Sequence, residues 1–338
     1  MAAVLITDPT LPTAVAIKSS LESIHKHGST HFTAKTAAEF VDEVRSDEMK
    51  DKLLKAQTEI MKEIHSASVR HAVLSQRDRV RIMSCRGPHA SHWITKLPTH
   101  KEFQLSGPEL SAAIRHRIGL APADHETIIC NCGKQITNDN HEHYHVCKRG
   151  LAWRIPRHNT ILTAYHKIAT KAGSESVREY RTSLPDMNKT RQKTDLRPDA
   201  AITGVNHKFF IDVTVTTPTA TSIMDRDRDP VSGASGSTPL FAAKLREKFK
   251  KTKYSDVALA EHADFYAVVM ESYGAIGEQM VESLNVLHAA HKDSVEDSNW
   301  SLKSWAVRVL SFALQRGNAR LALSANRLTA GRRLAARQ

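Results

Sequence analysis

The 338-residue sequence has few cysteines and no long apolar run. Its four cysteines are too few and too unevenly spaced for a disulfide scaffold. No stretch of 18 apolar residues occurs, which excludes a membrane-spanning helix. The N-terminus lacks a basic segment and reaches Asp8 early, so we expect no secretory signal and no membrane partner. With 41% hydrophobic and 25% charged residues, the chain has the composition of a folded protein of two or three domains.

Basic residues outnumber acidic ones by 48 to 36, and two segments hold much of this excess. Residues Arg316 to Gln338 contain six arginines and no acid, and Lys244 to Lys253 contain six basic residues beside one glutamate. Clustered positive charge favours a polyanion, with nucleic acid first and an anionic membrane second, although a solvated surface also explains it. Of these we predict DNA as the partner, with RNA left open and no membrane. A DNA partner would place the protein in the nucleus.

The hydrophobic pattern changes its period along the chain. Apolar residues follow helical spacing over 35–82, and a capping box of Ser106 and Glu109 predicts the start of another helix. Further helical patterns occupy 157–172, 241–254, 277–291, 302–315 and 318–328. The alternation or β-branched content typical of strands occurs at 176–182, 199–203, 207–217 and 263–272.

This order of elements predicts an α/β fold in four parts. A helical N-terminal region (1–88) is followed by a helical linker (89–150). An α/β core (151–292) and a basic helical tail (293–338) complete the chain.

Cysteine and histidine cluster between residues 130 and 147. Two cysteines two positions apart precede a histidine and a cysteine whose spacing of four places both on one helix face. Zinc takes four such ligands in a tetrahedron, so the segment is predicted to be a zinc knuckle with a structural Zn²⁺. His141 and His145 fit the helical spacing less well and stay outside the ligand set, and a loop with incidental histidines and buried thiols is the alternative. The predicted Zn²⁺ ligands are Cys130, Cys132, His143 and Cys147.

Twelve residues separate two aspartates, Asp199 and Asp212. Two strands joined by a tight turn at 204–206 would bring both carboxylates to one end of a sheet. Asp212 lies in the apolar run FFIDVTV, where an unpaired charge costs on the order of several kcal/mol. A divalent cation shared with Asp199, with Glu179 as a third oxygen ligand, would neutralise it. The alternative is an ion pair of Asp212 with Arg197 or a lysine.

The order of these motifs resembles a known family, the restriction-like (PD-(D/E)XK type) endonuclease domain at the C-terminus of non-long-terminal-repeat retrotransposon reverse-transcriptase polyproteins. The similarity covers roughly residues 90 to 330. The motif lysine expected two residues after the second acid is absent, and Thr214 occupies its position. No Tyr-x-Asp-Asp box of a reverse transcriptase is present. The matching features are the Cys/His knuckle, Arg157-His158-Asn159, Glu179, Pro198-Asp199, the IDVTV strand around Asp212, and Lys250, Lys253 and Tyr254.

The resemblance implies a nuclease-like core in which helices flank a mixed sheet. It implies a divalent-metal-dependent DNA endonuclease, a phosphodiester hydrolase that nicks target DNA as in retrotransposon integration, with Mg²⁺ or Mn²⁺ on Asp199 and Asp212. A catalytically inactive DNA-binding zinc module left from such an element is the alternative. The implied catalytic residues are Glu179, Asp199, Asp212 and Lys253. The predicted DNA contacts are Arg157, His158, Lys250, Lys251, Arg316 and Arg320.

The basic tail has two interpretations. Its arginines can neutralise DNA phosphates, in which case binding weakens steeply as salt is added. Alternatively, its helix packs on the α/β core through the apolar residues of LSANRL and keeps its guanidinium groups solvated.

Overall fold

The structure is a computed structural model that describes Glu22, Glu39 and residues 75–95, 100–122, 128–130, 132–181, 196–228, 236–294 and 301–335. The chain divides into two compact units, Met1–Ser75 and Gln76–Gln338. In the first unit, Glu22 and Glu39 are helical. The rest of the helix predicted before residue 75 lies outside the described residues. Among the described helices, none is both long and apolar enough to span a membrane.

The second unit mixes helices with short strands. Short 3₁₀ turns occur at Lys101–Phe103, Asn138–Asn140, Lys148–Gly150 and Asp225–Arg228. The helices are α1 (Gln76–Cys85), α2 (His92–Thr95), α3 (Gly107–Ile118), α4 (His143–Val146), α5 (Leu151–Lys171), α6 (Thr221–Met224), α7 (Phe241–Ala260), α8 (Glu278–Ser294) and α9 (Leu302–Ala335). The strands are β1 (Ile128–Ile129), β2 (Gln135–Ile136), β3 (Glu175–Arg178), β4 (Ala200–Thr203), β5 (Lys208–Thr216) and β6 (Asp264–Glu271).

Strands β3 to β6 form a mixed sheet in chain order. β3, β4 and β5 pair antiparallel, whereas β5 and β6 pair parallel. The predicted hairpin of β4 and β5 is confirmed, with Gly204 N–H donating to the His207 carbonyl at 2.9 Å. Ala200 lies opposite Ile211, so Asp199, which immediately precedes β4, lies next to Asp212 of β5.

Helices cover both faces of this sheet. Phe209 and Ile211 of β5 belong to the main core, which α5, α8 and α9 form on one face. Phe210 belongs to a second cluster on the other face, where it packs with Tyr254 of α7. Because side chains alternate along a strand, Asp212 also lies on the α7 face. The α/β fold class is confirmed, with a mixed four-stranded sheet between helical layers.

The predicted basic tail is part of the folded unit. α9 is one helix, so the predicted break between Gln315 and Asn318 is wrong. Gly317 permits a close helix contact instead of ending the helix, since a Cβ there would lie 2.6 Å from Cγ of Arg157 on α5. Leu310 of α9 is fully buried in the main core. From residue 316 onward, Ala319 and Leu321 are buried and Leu323 is partly buried, all in a cluster with residues 128–147 rather than in the main core. The side chains of residues 325–328 lie outside the described residues, so packing on the α/β core through LSANRL stays a prediction.

Candidate active site and metal centre

A hairpin and one helical turn build the Cys/His cluster. β1 and β2 pair antiparallel. The turn between them is closed by a hydrogen bond from Gly133 N–H to the Cys130 carbonyl at 2.8 Å, and the φ of Gly133 is +90°, which glycine adopts without strain. At α4, Cys147 N–H donates to the His143 carbonyl at 2.9 Å, which keeps these two residues on one side of the helix. The hairpin and the helix therefore present their ligand atoms to each other.

The four predicted zinc ligands converge. Their ligand atoms all lie within 4.8 Å of one another. Sγ of Cys130 is 3.5 Å from Sγ of Cys147, and Sγ of Cys132 is 3.1 Å from Nε2 of His143. Sulfur ligands about 2.3 Å from a tetrahedral zinc lie roughly 3.8 Å apart, so the observed spacing fits an ion of this size. The cluster can therefore hold a metal ion, as its spacing in the sequence predicts.

The two histidines left out of the ligand set face the protein interior. Nε2 of His141 lies 3.1 Å from the Tyr273 hydroxyl, and Nδ1 of His145 accepts a hydrogen bond from Arg157 at 2.7 Å. Arg157 also donates to the side-chain oxygen of Asn318 at 3.0 Å and is only 4% exposed. This burial corrects the prediction that Arg157 contacts DNA. Its guanidinium instead joins α4, α5 and α9.

Asp199 and Asp212 lie side by side at the β4–β5 pair. Oδ2 of Asp199 accepts hydrogen bonds from Nε2 of His158 at 2.9 Å and from Val213 N–H at 2.6 Å. Asp212 is 5% exposed, and its carboxylate contacts the ammonium of Lys250, which lies 2.8 Å from Oδ1 and also bonds Oδ2. The ion pair that the sequence left as an alternative is therefore present, with Lys250 as the lysine.

The two carboxylates repel each other, and cationic groups compensate. Burial is the main cause that raises the pKa of Asp212, and the charge of Asp199 raises it further, whereas Lys250 lowers it. The hydrogen bond with Asp199 raises the pKa of His158, which favours the imidazolium beside this carboxylate. Adjacent carboxylates in a poorly hydrated place form a site that gains stability from an added cation.

Within the described residues, the other two predicted catalytic residues, Glu179 and Lys253, form no side-chain hydrogen bond or ion pair with either aspartate. Glu179 is exposed, and its main-chain N–H donates to the Asp199 carbonyl at 2.9 Å. Across the described ranges, the glutamate does not join the aspartates in a group of three converging ligand atoms. Lys253 donates to the Tyr254 hydroxyl at 3.2 Å and affects the buried aspartate through its charge. The lysine in contact with the carboxylate is thus Lys250, and the catalytic role of Lys253 stays a prediction.

The other predicted DNA contacts have different surroundings. Arg316 is half-buried and donates to two main-chain carbonyls of the segment before α3, at 3.1 and 2.9 Å. Arg320 is 63% exposed and pairs with Glu109 at 3.2 Å. Lys251 is exposed and lines a groove of about 500 Å³ whose lining includes three acidic residues. Arg316 therefore has a structural role, and the acidic groove beside Lys251 disfavours a phosphate.

The functional interpretation depends on two groups of residues, the Cys/His cluster and the aspartate pair. In both groups, side chains from separate elements meet because of the fold. Comparisons with known proteins add neither a family nor an activity, since no family model matches the chain and no curated protein matches it.

Proposed function

We propose that the unit Gln76–Gln338 is a divalent-metal-dependent DNA endonuclease in which Asp199 and Asp212 bind the metal. The observation that carries this proposal is the pair of carboxylates at the start of β4 and on β5, the second of which is buried and contacts a lysine of α7. The motif order that resembles restriction-like endonucleases supports it. The basic surface of α7 beside the acids supports DNA as the substrate.

The surroundings of the aspartates fit a hard cation such as Mg²⁺ or Mn²⁺. His158 and Val213 both donate to Oδ2 of Asp199, whereas Oδ1 accepts no hydrogen bond from any residue in the described part of the chain. This oxygen is thus available as a ligand, and its carboxylate is held in a fixed orientation. A divalent cation bound there would supply a water of lowered pKa and would offset the negative charge developing on the scissile phosphate.

Lys250 connects the carboxylates to the substrate. Its ammonium neutralises Asp212 in the structure, and a phosphate group of DNA competes for the same ammonium because lysine binds phosphate as a point charge. If Asp212 held a divalent cation, Lys250 would be free to bind the scissile phosphate through its charge. We therefore assign to Lys250 the role that the resemblance gives to Lys253, which follows three residues later on the same helical face and adds a second charge.

The Cys/His cluster is proposed to hold a structural Zn²⁺. Three thiolates and one imidazole are ligands that zinc prefers, and four protein ligands leave no open position for catalysis. The cluster packs against α9 through Tyr144 and Leu321. The bound ion would therefore stabilise a small hairpin-and-helix segment that has little core of its own.

A second candidate is a catalytically inactive DNA-binding zinc module. The ion pair of Lys250 and Asp212 favours it, because a neutralised carboxylate attracts a metal ion less strongly. Within the described residues, Glu179 also does not converge with the two aspartates as a third acidic ligand. Both candidates predict DNA binding, so metal-dependent cleavage separates them.

Nicking of supercoiled plasmid by the full chain, in Mg²⁺ and in EDTA, tests the endonuclease. We expect nicking in Mg²⁺ alone, and its fall to background in Asp212→Asn, because this change keeps the side-chain shape and removes the charge that binds the metal. The matched control is Asp256→Asn, an exposed aspartate of α7, which should nick at the wild-type rate. Absence of nicking by the wild-type protein in Mg²⁺ and Mn²⁺ would refute the endonuclease and leave the second candidate.

A further inference from the structure

Helix α7 carries an exposed aromatic side chain in its most basic part. Phe249 is 60% exposed, and within the described residues it is the only aromatic one among the exposed large apolar side chains. Single exposed apolar residues are common on protein surfaces. Whether Phe249 has a role in binding therefore depends on the residues around it.

The surroundings of Phe249 are cationic and adjoin the aspartate pair. It directly precedes Lys250, whose ammonium contacts Asp212. Arg246 three residues earlier and Lys253 four residues later lie on the same helical face as Phe249. Lys253 also lies three residues after Lys250, so the faces of α7 that carry Phe249 and the lysine in contact with Asp212 adjoin each other. The phenyl ring therefore lies beside the proposed site, between two cations.

The one acidic residue among residues 244–253 is buried and does not contribute to the surface around Phe249. Glu247 is 4% exposed and accepts a hydrogen bond from Gln279 N–H at 3.1 Å, at the start of α8. Arg246, Lys248 and Phe249 are all exposed. Residues 244–253 therefore contribute only positive charge to the surface around the ring, and Lys244 at its start pairs with Glu278 of α8 at 3.0 Å. This charge is complementary to a nucleic-acid strand, whereas an apolar protein partner would leave the cations without counterions.

We propose that Phe249 stacks on an unpaired base of the DNA strand next to the scissile phosphate. This inference rests on the proposed DNA substrate. In a paired duplex the grooves present base edges, so an aromatic ring gains a base face only where the duplex is open. Surfaces that bind single strands combine such rings with cations that follow the phosphates, as Arg246 and Lys253 do on either side of Phe249. The preferred substrate is therefore DNA with an unpaired segment at the cleavage site.

Binding of the full chain to two DNAs of one sequence tests this inference, with EDTA present so that no cleavage occurs. One DNA is fully paired and the other contains a short central bubble. We expect the wild-type protein to prefer the bubble, and Phe249→Ala to weaken binding to the bubble by about 5- to 150-fold, because base–aromatic stacking has this magnitude. Binding to the paired DNA should not change. Phe249→Trp, which keeps a stacking face, should bind the bubble as the wild type does.

Leu259→Ala is the matched control. Leu259 is 78% exposed on the same helix, ten residues from Phe249, and its removal should alter binding to neither DNA. The inference would be overturned if the wild type bound the two DNAs equally. It would also be overturned if Phe249→Ala lost the same affinity for both DNAs, or if Leu259→Ala lost as much affinity for the bubble as Phe249→Ala does. Because this measurement needs no cleavage, a protein that fails the nicking test but shows the bubble preference would refute the endonuclease and leave the stacking of Phe249 on an unpaired base intact.

Discussion

Replacing Lys250 with methionine removes the cation that neutralises a buried carboxylate. The side chain of Asp212 is 8% exposed and that of Lys250 is 20% exposed. Removing one partner of a buried ion pair costs about 3–5 kcal/mol. We expect the lower end of this range because Lys250 is partly exposed. In addition, burial raises the pKa of Asp212, so the carboxylate can take up a proton when its partner is removed. We expect the free energy of unfolding to fall by about 3 kcal/mol in EDTA.

Two further measurements identify the cause of this loss. Mg²⁺ should recover more stability in Lys250→Met than in the wild type, because a ligand of the native state stabilises it and the variant offers an unpaired carboxylate. The double variant with Asp212→Asn should be more stable than Lys250→Met alone, since it leaves no charge buried without a partner.

Urea denaturation followed by tryptophan fluorescence measures this stability in the full chain, because all four tryptophans lie in the unit Gln76–Gln338. Lys253→Met is the control. Its ammonium contacts the Tyr254 hydroxyl and no carboxylate within the described residues, so its loss should stay below about 1 kcal/mol. If Lys250→Met unfolds with the wild-type free energy in EDTA, or if the double variant is no more stable than the single one, the ion pair does not have the assigned role.

Two other predictions concern the Cys/His cluster and a buried acid. Cys147→Ser removes one of four ligands, so elemental analysis should find about one zinc per chain in the native protein and less in the variant, with a lower unfolding midpoint; native protein without zinc would contradict the assignment. Burial is the main cause that raises the pKa of Glu247 from 4.5 to about 7. The folded state therefore binds more protons than the unfolded state between these values, and stability should fall by up to about 3 kcal/mol as the pH rises through this window and then level off. Glu247→Gln should remove this fall, and parallel pH curves of urea denaturation for the two proteins would show that the carboxyl is not the cause.

Features that depend on residues close together in the sequence could be predicted from it. The capping box of α3 forms as expected, with Ser106 N–H donating to Glu109 at 3.0 Å and Glu109 N–H donating back to the serine hydroxyl. The Cys/His ligand set was predictable because each half of it lies within one turn of the chain. The β4–β5 hairpin followed from two short β-rich segments around a turn.

Contacts between distant elements could not be predicted in this way. His158 is 41 residues from Asp199, and Lys250 is 38 residues from Asp212. Helical periodicity places Lys250 and Lys253 on one face of α7 and cannot decide which of them reaches the carboxylate. That choice depends on how α7 packs against the sheet. The burial of Arg157 likewise depends on a partner 161 residues away, so its charge alone suggested a surface role.

Helix α5 connects the Cys/His segment to the aspartate pair through two consecutive residues. A helix turns by about 100° per residue, so Arg157 and His158 point in different directions. Arg157 bonds His145 of α4 and the side chain of a residue on α9, while His158 bonds Asp199. Because Arg157 is buried and its helix contacts α9 closely at Gly317, its bonds fix the rotation of α5 and with it the position of His158. A structural ion in the Cys/His cluster would therefore help to orient the carboxylate of the proposed active site without contacting it.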